Sequence, residues 1–259
     1  MAQRVFTATA LLLLLAAILY AGRFAMWSAA VVIFALIHQE FCNFSSPVLK
    51  REALLYSFPN FLLLYLFSNQ LPAFMLAIPL LLLAAVICLM TERLKQDETI
   101  AEVLMPALIG FCYIGVLGSI FVATTLTPHA TQALIWLFAI VTATDTGAYF
   151  VGSRIGGPKL ALRISPQKTI SGALGGLILG TLLGVICGEY LAPVSTFWLL
   201  LLLSFAASAA AIVGDLFESA IKRLFGVKDS GAILPGHGGL LDRIDGLLFA
   251  APLVHFISW

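Results

Sequence analysis

The chain has 259 residues, of which 61% are hydrophobic and only 10% charged, with a formal net charge of +1. Soluble domains carry about 25% charged residues, and a single core could not hide this much apolar surface from water. An ordinary water-soluble fold is therefore excluded, and the near-zero charge gives no broad basic field for nucleic acid.

A helix that crosses a bilayer takes about 20 mostly apolar residues. In chain order, apolar runs predict spans at 5–21, 24–38, 53–68, 71–90, 103–126, 131–151, 170–188, 197–214 and 246–259. Arg4 precedes the first run, but a second run follows at once without a small-residue cleavage pattern, so this reads as a retained helix and not a signal peptide. The expected class is an all-α, polytopic integral membrane protein of about nine transmembrane helices. Residues 1–130 supply amino-terminal spans, and 131–259 form the catalytic region of one integrated membrane domain, with loops at 152–169 and 215–245.

The basic residues test this count. Connections after spans two, four, six and eight hold Lys50, Arg51, Arg93, Lys95, Arg154, Lys159, Arg163, Lys168, Lys222, Arg223, Lys228 and Arg243, whereas the others hold only Arg23. Lysine and arginine mark the cytoplasmic side. The amino terminus, with Arg4, and both large loops are thus expected to be cytoplasmic, in a multi-pass protein of the cell membrane.

Within span seven, Gly172, Gly176, Gly180, Gly184 and Gly188 recur every four residues. Such a ridge lets another helix come close, either a second copy of the chain in a homodimer or a helix of the same chain. Pro59, Pro79 and Pro106 kink their helices or mark their ends. Cys42, Cys88, Cys112 and Cys187 lie far apart in or beside apolar runs, without a CxxC pair, and read as packing residues.

Two connections are much richer than the rest. One runs from Thr144 to Gly172, the other from Gly214 through Asp245, and the second holds five carboxylates, four cations, a histidine and repeated glycines. If span eight continues as a helix past Gly214, then Asp215, Glu218, Ser219 and Lys222 share one face. The glycine-rich stretch Pro235–Gly239 ahead of a helix start is an anion cradle in form. Asp242 and Asp245, three apart, share a face of that helix. Mg²⁺ takes one or two carboxylates together with water and substrate phosphate, and Asp215 with Asp242 or Asp245 would supply them from two elements. A charged loop beside a membrane is more often solvated surface or a headgroup contact; the density of charge here favours a phosphate-and-metal site. Asp145 lies in an apolar span, where a carboxylate is costly and usually functional.

The stretch Ser219–Asp245, SAIKRLFGVKDSGAILPGHGGLLDRID, resembles the signature of the phosphatidate cytidylyltransferases, or CDP-diacylglycerol synthases. Counterparts of the fixed positions are Ser219, Lys222, Arg223, Lys228, Asp229, Pro235, His237, Gly238, Gly239, Asp242, Arg243 and Asp245. Upstream, Asp145, Ala148-Tyr149, Gly152, Ser165-Pro166 and Lys168-Thr169 are also similar. The family often has an aromatic residue and a glutamate next, where this chain has Ile170 and Ser171.

The resemblance implies transfer of CMP from CTP to phosphatidate, giving CDP-diacylglycerol and pyrophosphate, with one or more divalent cations, Mg²⁺ first. It implies metal ligands at Asp215 and Asp242 with Asp245 close behind, and catalytic charge neutralisation by Lys222 and Arg223, helped by Lys228 and Arg243. Ser165 and Lys168 become a second phosphate contact, and Ser219, Asp229, His237, Gly238, Gly239 and Asp145 further substrate-binding positions. A CTP-dependent lipid or polyprenol kinase is the alternative enzyme, using a similar cradle but releasing CDP. A transporter of an anionic lipid or metabolite would carry inverted repeats and midplane charges, and the sequence displays neither.

Overall fold

The computed structural model describes residues 2–51, 59, 60, 62, 101–192, 196–234 and 238–257. The span expected at 71–90, most of that at 53–68, Arg93, Lys95, Pro235 and His237 lie outside the described residues. The chain divides into two compact units, Met1–Leu126 with Asp229–Leu241, and Thr127–Lys228 with Asp242–Trp259.

The first unit contains α1 (Ala2–Ala21), α2 (Arg23–Ser45) and the short α3 (Pro47–Arg51). Further on come α4 (Ala101–Gly110), a π-helical stretch Phe111–Val116 and α5 (Leu117–Leu126). Pro106 sits inside α4 without ending it. Its missing N–H and ring disturb the hydrogen-bond ladder, and the helix continues through the wider turns that follow. α2 packs on α5, with the Phe34 and Phe121 rings 5.8 Å apart.

The second unit is built on α6 (Ala130–Ile155), α7 (Ile170–Leu191) and α8 (Phe197–Leu224), with α7 packed against both others. It closes with α9 (Leu241–Ala250) and a 3₁₀ helix, Ala251–Phe256. The stretch expected as a ninth span is thus the later part of α9 followed by tighter turns. The five glycines of α7 are all buried. A Cβ on Gly176 would stand 2.6 Å from the Thr144 carbonyl oxygen of α6, and one on Gly188 would stand 2.7 Å from Leu200 of α8. Trp136 of α6 donates its indole N–H to the Gly184 carbonyl at 2.9 Å. Of the two readings of the glycine ridge, close packing within the chain is the one observed. The opposite face of α7 exposes Ile178, Leu182 and Ile186, apolar surface of the kind lipid covers.

Between α6 and α7 the chain forms an antiparallel hairpin, β1 (Lys159–Ala161) with β2 (Ser165–Thr169). This departs from the all-α expectation. Gly156 and Gly157, both at positive φ, end α6, a conformation other residues rarely adopt. The strands are too short for a period-two pattern, and Pro166 argues against a strand unless it lies at a sheet edge, as it does in two strands.

Among the described residues, five helical stretches are long and apolar enough to cross a membrane: Arg23–Ser45, Glu102–Leu126, Ala130–Ile155, Ile170–Leu191 and Phe197–Leu224.

Candidate active site

α8 does continue as a helix past Gly214, to Leu224. Asp215, Glu218 and Lys222 therefore fall on one side of its last turns by three-and-four spacing. α9 begins at Leu241 and places Asp242 in its first turn, where a carboxylate is favoured by the helix dipole. Thr169 caps α7: its hydroxyl accepts from the Gly172 N–H at 3.1 Å, which fixes the end of the hairpin carrying Lys168. Ser171, where the family often has glutamate, donates its hydroxyl to the Gly156 carbonyl and so ties α7 to the turn after α6.

These elements enclose a cavity of about 570 Å³. Asp145 and Tyr149 reach it from α6, Lys168 from β2, Asp215 from α8, and Asp242, Arg243 and Asp245 from α9. Lys168 Nζ lies 2.6 Å from Asp215 Oδ1. Lys222 Nζ lies 2.6 Å from Asp242 Oδ1 and 2.5 Å from Glu218 Oε2. Asp245 is buried, and its carboxyl is pushed up to about 8, first by burial and then by the negative charge of Asp215. A site that crowds four aspartates around one cavity, with Lys168 and Arg243 as its cationic lining among the described residues, favours added positive charge.

The donor set accordingly fits a hard divalent cation: carboxylate oxygens from three helices, with no thiol or imidazole among the described residues of the cavity wall. Among the described residues, no three such side chains already converge on one point. A cation held by one or two of these carboxylates would complete its shell with water and substrate phosphate oxygens.

The remaining expected residues are placed as follows. Arg223 is exposed and donates from Nε to the Ile164 carbonyl and from NH1 to the Val227 carbonyl, each at 3.3 Å. It thereby pins the hairpin turn to the end of α8. Ser165 begins β2, Ser219 lies half-buried on α8, and Lys228 is exposed. In the other unit, Asp229 is exposed, Gly238 takes φ 82° in a bridge with Leu234, and Gly239 is buried. A Cβ on Gly239 would collide with Ser230 Oγ.

Two acidic residues were not assigned from the sequence. Glu40 of α2 is 3% exposed, and its Oε2 accepts the backbone N–H groups of Leu240 at 2.8 Å and Leu241 at 3.0 Å. It secures the end of the glycine-rich segment across 200 positions of sequence. A carboxylate following directly on an apolar run was the available signal. Glu40→Gln keeps the shape but sets an amide N–H₂ against N–H donors; a loss of about 1–3 kcal/mol is expected, read as a lower thermal midpoint in detergent. Glu218 is the second, and its spacing to Asp215 and Lys222 was its signal.

The second unit thus holds a carboxylate-and-lysine cavity among helices long and apolar enough to cross a membrane. The chain belongs to the cytidylyltransferase family, whose model matches residues 2–259. It is 47% identical over 131 residues to a phosphatidate cytidylyltransferase of Brucella suis biovar 1 (strain 1330), covering 51% of this chain and 48% of that protein. It is 42% identical over 150 residues to a phosphatidate cytidylyltransferase of Staphylococcus haemolyticus (strain JCSC1435), covering 58% and 57%. The chain thus spans about half the length of the curated relatives it matches.

Proposed function

We propose that this protein transfers CMP from CTP to phosphatidate, forming CDP-diacylglycerol and pyrophosphate for phospholipid synthesis. The observation that carries the proposal is the cavity of Asp145, Lys168, Asp215, Asp242, Arg243 and Asp245 in a member of this family. A lipid phosphate oxygen attacks the α-phosphorus of CTP; the new P–O bond forms as the bond to the β,γ-pyrophosphate breaks. Such transfers rest on positioning and charge neutralisation more than on covalent help.

Asp215 and Asp242, with Asp245 behind them, hold the divalent cation. When bound, that cation neutralises and orients the phosphates. Lys168 and Arg243 face the cavity and offset the remaining phosphate charge. Lys168 reaches a phosphate by exchanging its contact with Asp215, and Ser165 supports it from the same strand. The lipid phosphate is already ionised at neutral pH, so the reaction requires no general base, and His237 serves as a phosphate or base contact.

In this reading nine spans cross the cell membrane, the amino terminus is cytoplasmic, and CTP enters from the cytoplasm. Support comes from the segregation of lysine and arginine. Cysteines introduced at the exposed positions Leu162 and Lys228, in a cysteine-free background, should be shielded from an impermeant thiol reagent in intact cells. Labelling of either from outside would overturn the orientation. For the reaction, purified protein with CTP and Mg²⁺ should release pyrophosphate when phosphatidate is added and none when diacylglycerol replaces it. Pyrophosphate release indifferent to phosphatidate would refute the proposed substrate.

A further inference from the structure

Lys222 is not placed as a phosphate-reading lysine would be. Its side chain is 12% exposed, against 26% for Lys168, and it stands between two carboxylates. Its Nζ is 2.5 Å from Glu218 Oε2 and 2.6 Å from Asp242 Oδ1. Glu218 lies one turn before Lys222 on α8 and is 1% exposed. Asp242 is on α9 and lines the cavity. Desolvating an ammonium and a carboxylate is repaid only where geometry is good and the remaining groups are satisfied, and here Lys222 Nζ holds carboxyl groups of two different helices at once.

We propose that Glu218 and Lys222 are positioning residues for the divalent cation. Glu218 holds the Lys222 ammonium in place, and Lys222 fixes the orientation of the Asp242 carboxylate. Lys222 therefore governs cation affinity, while Lys168 and Arg243 govern the nucleotide phosphates. This rests on the reading of Asp242 as a cation ligand.

The test separates cation binding from nucleotide binding. Mn²⁺ affinity is measured by electron paramagnetic resonance on the purified full chain without nucleotide, and the KM for CTP is measured at saturating Mn²⁺. Glu218→Leu, which removes the oxygen that holds Lys222, is expected to weaken Mn²⁺ binding about tenfold or more while leaving that KM within about threefold. Lys222→Arg, which keeps the positive charge but moves its donors, is expected to show the same split and serves where Glu218→Leu does not fold. A merely structural role would lower stability without a selective loss of Mn²⁺ affinity. Unchanged Mn²⁺ affinity in a folded variant overturns the proposal, as does a KM for CTP that rises about tenfold with Mn²⁺ binding intact. The transferase reading fails on different grounds, namely if the wild-type protein binds Mn²⁺ but forms no CMP-linked lipid.

Discussion

Asp215→Asn and Asp242→Asn should each lower turnover by about a hundredfold or more, a barrier increase of about 3 kcal/mol. Both carboxylates line the same cavity, one from α8 and one from α9. Each now faces a lysine, Lys168 at 2.6 Å and Lys222 at 2.6 Å. In the proposed reaction a triphosphate and a lipid phosphate would bring several negative charges together where water screens them poorly. Lysines offset part of this, and a divalent cation held by Asp215 and Asp242 would neutralise and orient the phosphates further. Asparagine preserves size and polarity while removing one ligand charge, and it also releases the partner lysine, so the loss should appear in turnover at saturating CTP. Asp229→Asn is the control: its side chain is exposed and the effect should be milder. If either ligand variant folds, inserts and keeps more than about a tenth of activity, a threshold near 1.4 kcal/mol, its assignment as a cation ligand is wrong.

Gly176→Leu should be nearly as severe, by a different route. A Cβ at Gly176 would stand 2.6 Å from the Thr144 carbonyl oxygen and 3.1 Å from the Ala148 Cβ. Both belong to α6, Thr144 directly before Asp145 and Ala148 three residues after it, and neither backbone nor short side chain can swing away. The remaining atoms of leucine would have to fit where two helix backbones already touch. Overpacking in a tight interior costs about 1–3 kcal/mol and sometimes more, and here it forces α6 from α7. The expected result is a sharp drop in monodisperse protein extracted in detergent, and loss of activity in what remains. Leu182→Ala, on the exposed face of α7, should leave both nearly unchanged. A Gly176→Leu protein with normal yield and activity would show that α6 and α7 do not pack as described.

The legible and illegible parts of this molecule divide on physical grounds. Helices in apolar runs were readable because an apolar environment forces the backbone to satisfy its hydrogen bonds internally. The shared face of Asp215, Glu218 and Lys222 followed from helical spacing once α8 continued past Gly214. The glycine ridge was equally plain, but its partner was not: nothing local to α7 distinguishes Thr144 and Leu200 of the same chain from a second copy. The β1–β2 hairpin escaped because its strands are short and polar and one contains a proline. Glu40 escaped because its role depends on backbone N–H groups 200 positions away, and backbone donors carry no sequence mark. The pairing of Lys222 with two carboxylates escaped for a related reason. Motif resemblance marks a lysine as part of a phosphate site without saying whether it faces phosphate or carboxylate.

The most direct test of the central claim follows the fate of individual phosphates. The purified protein is given phosphatidate, Mg²⁺ and CTP radiolabelled either at the α-phosphate or at the γ-phosphate, and the lipid fraction is counted. The account predicts that α-label enters the lipid as a CMP adduct while γ-label leaves as pyrophosphate. Label from the γ-phosphate in the lipid, with CDP released, would contradict the account and make the protein a CTP-dependent lipid kinase.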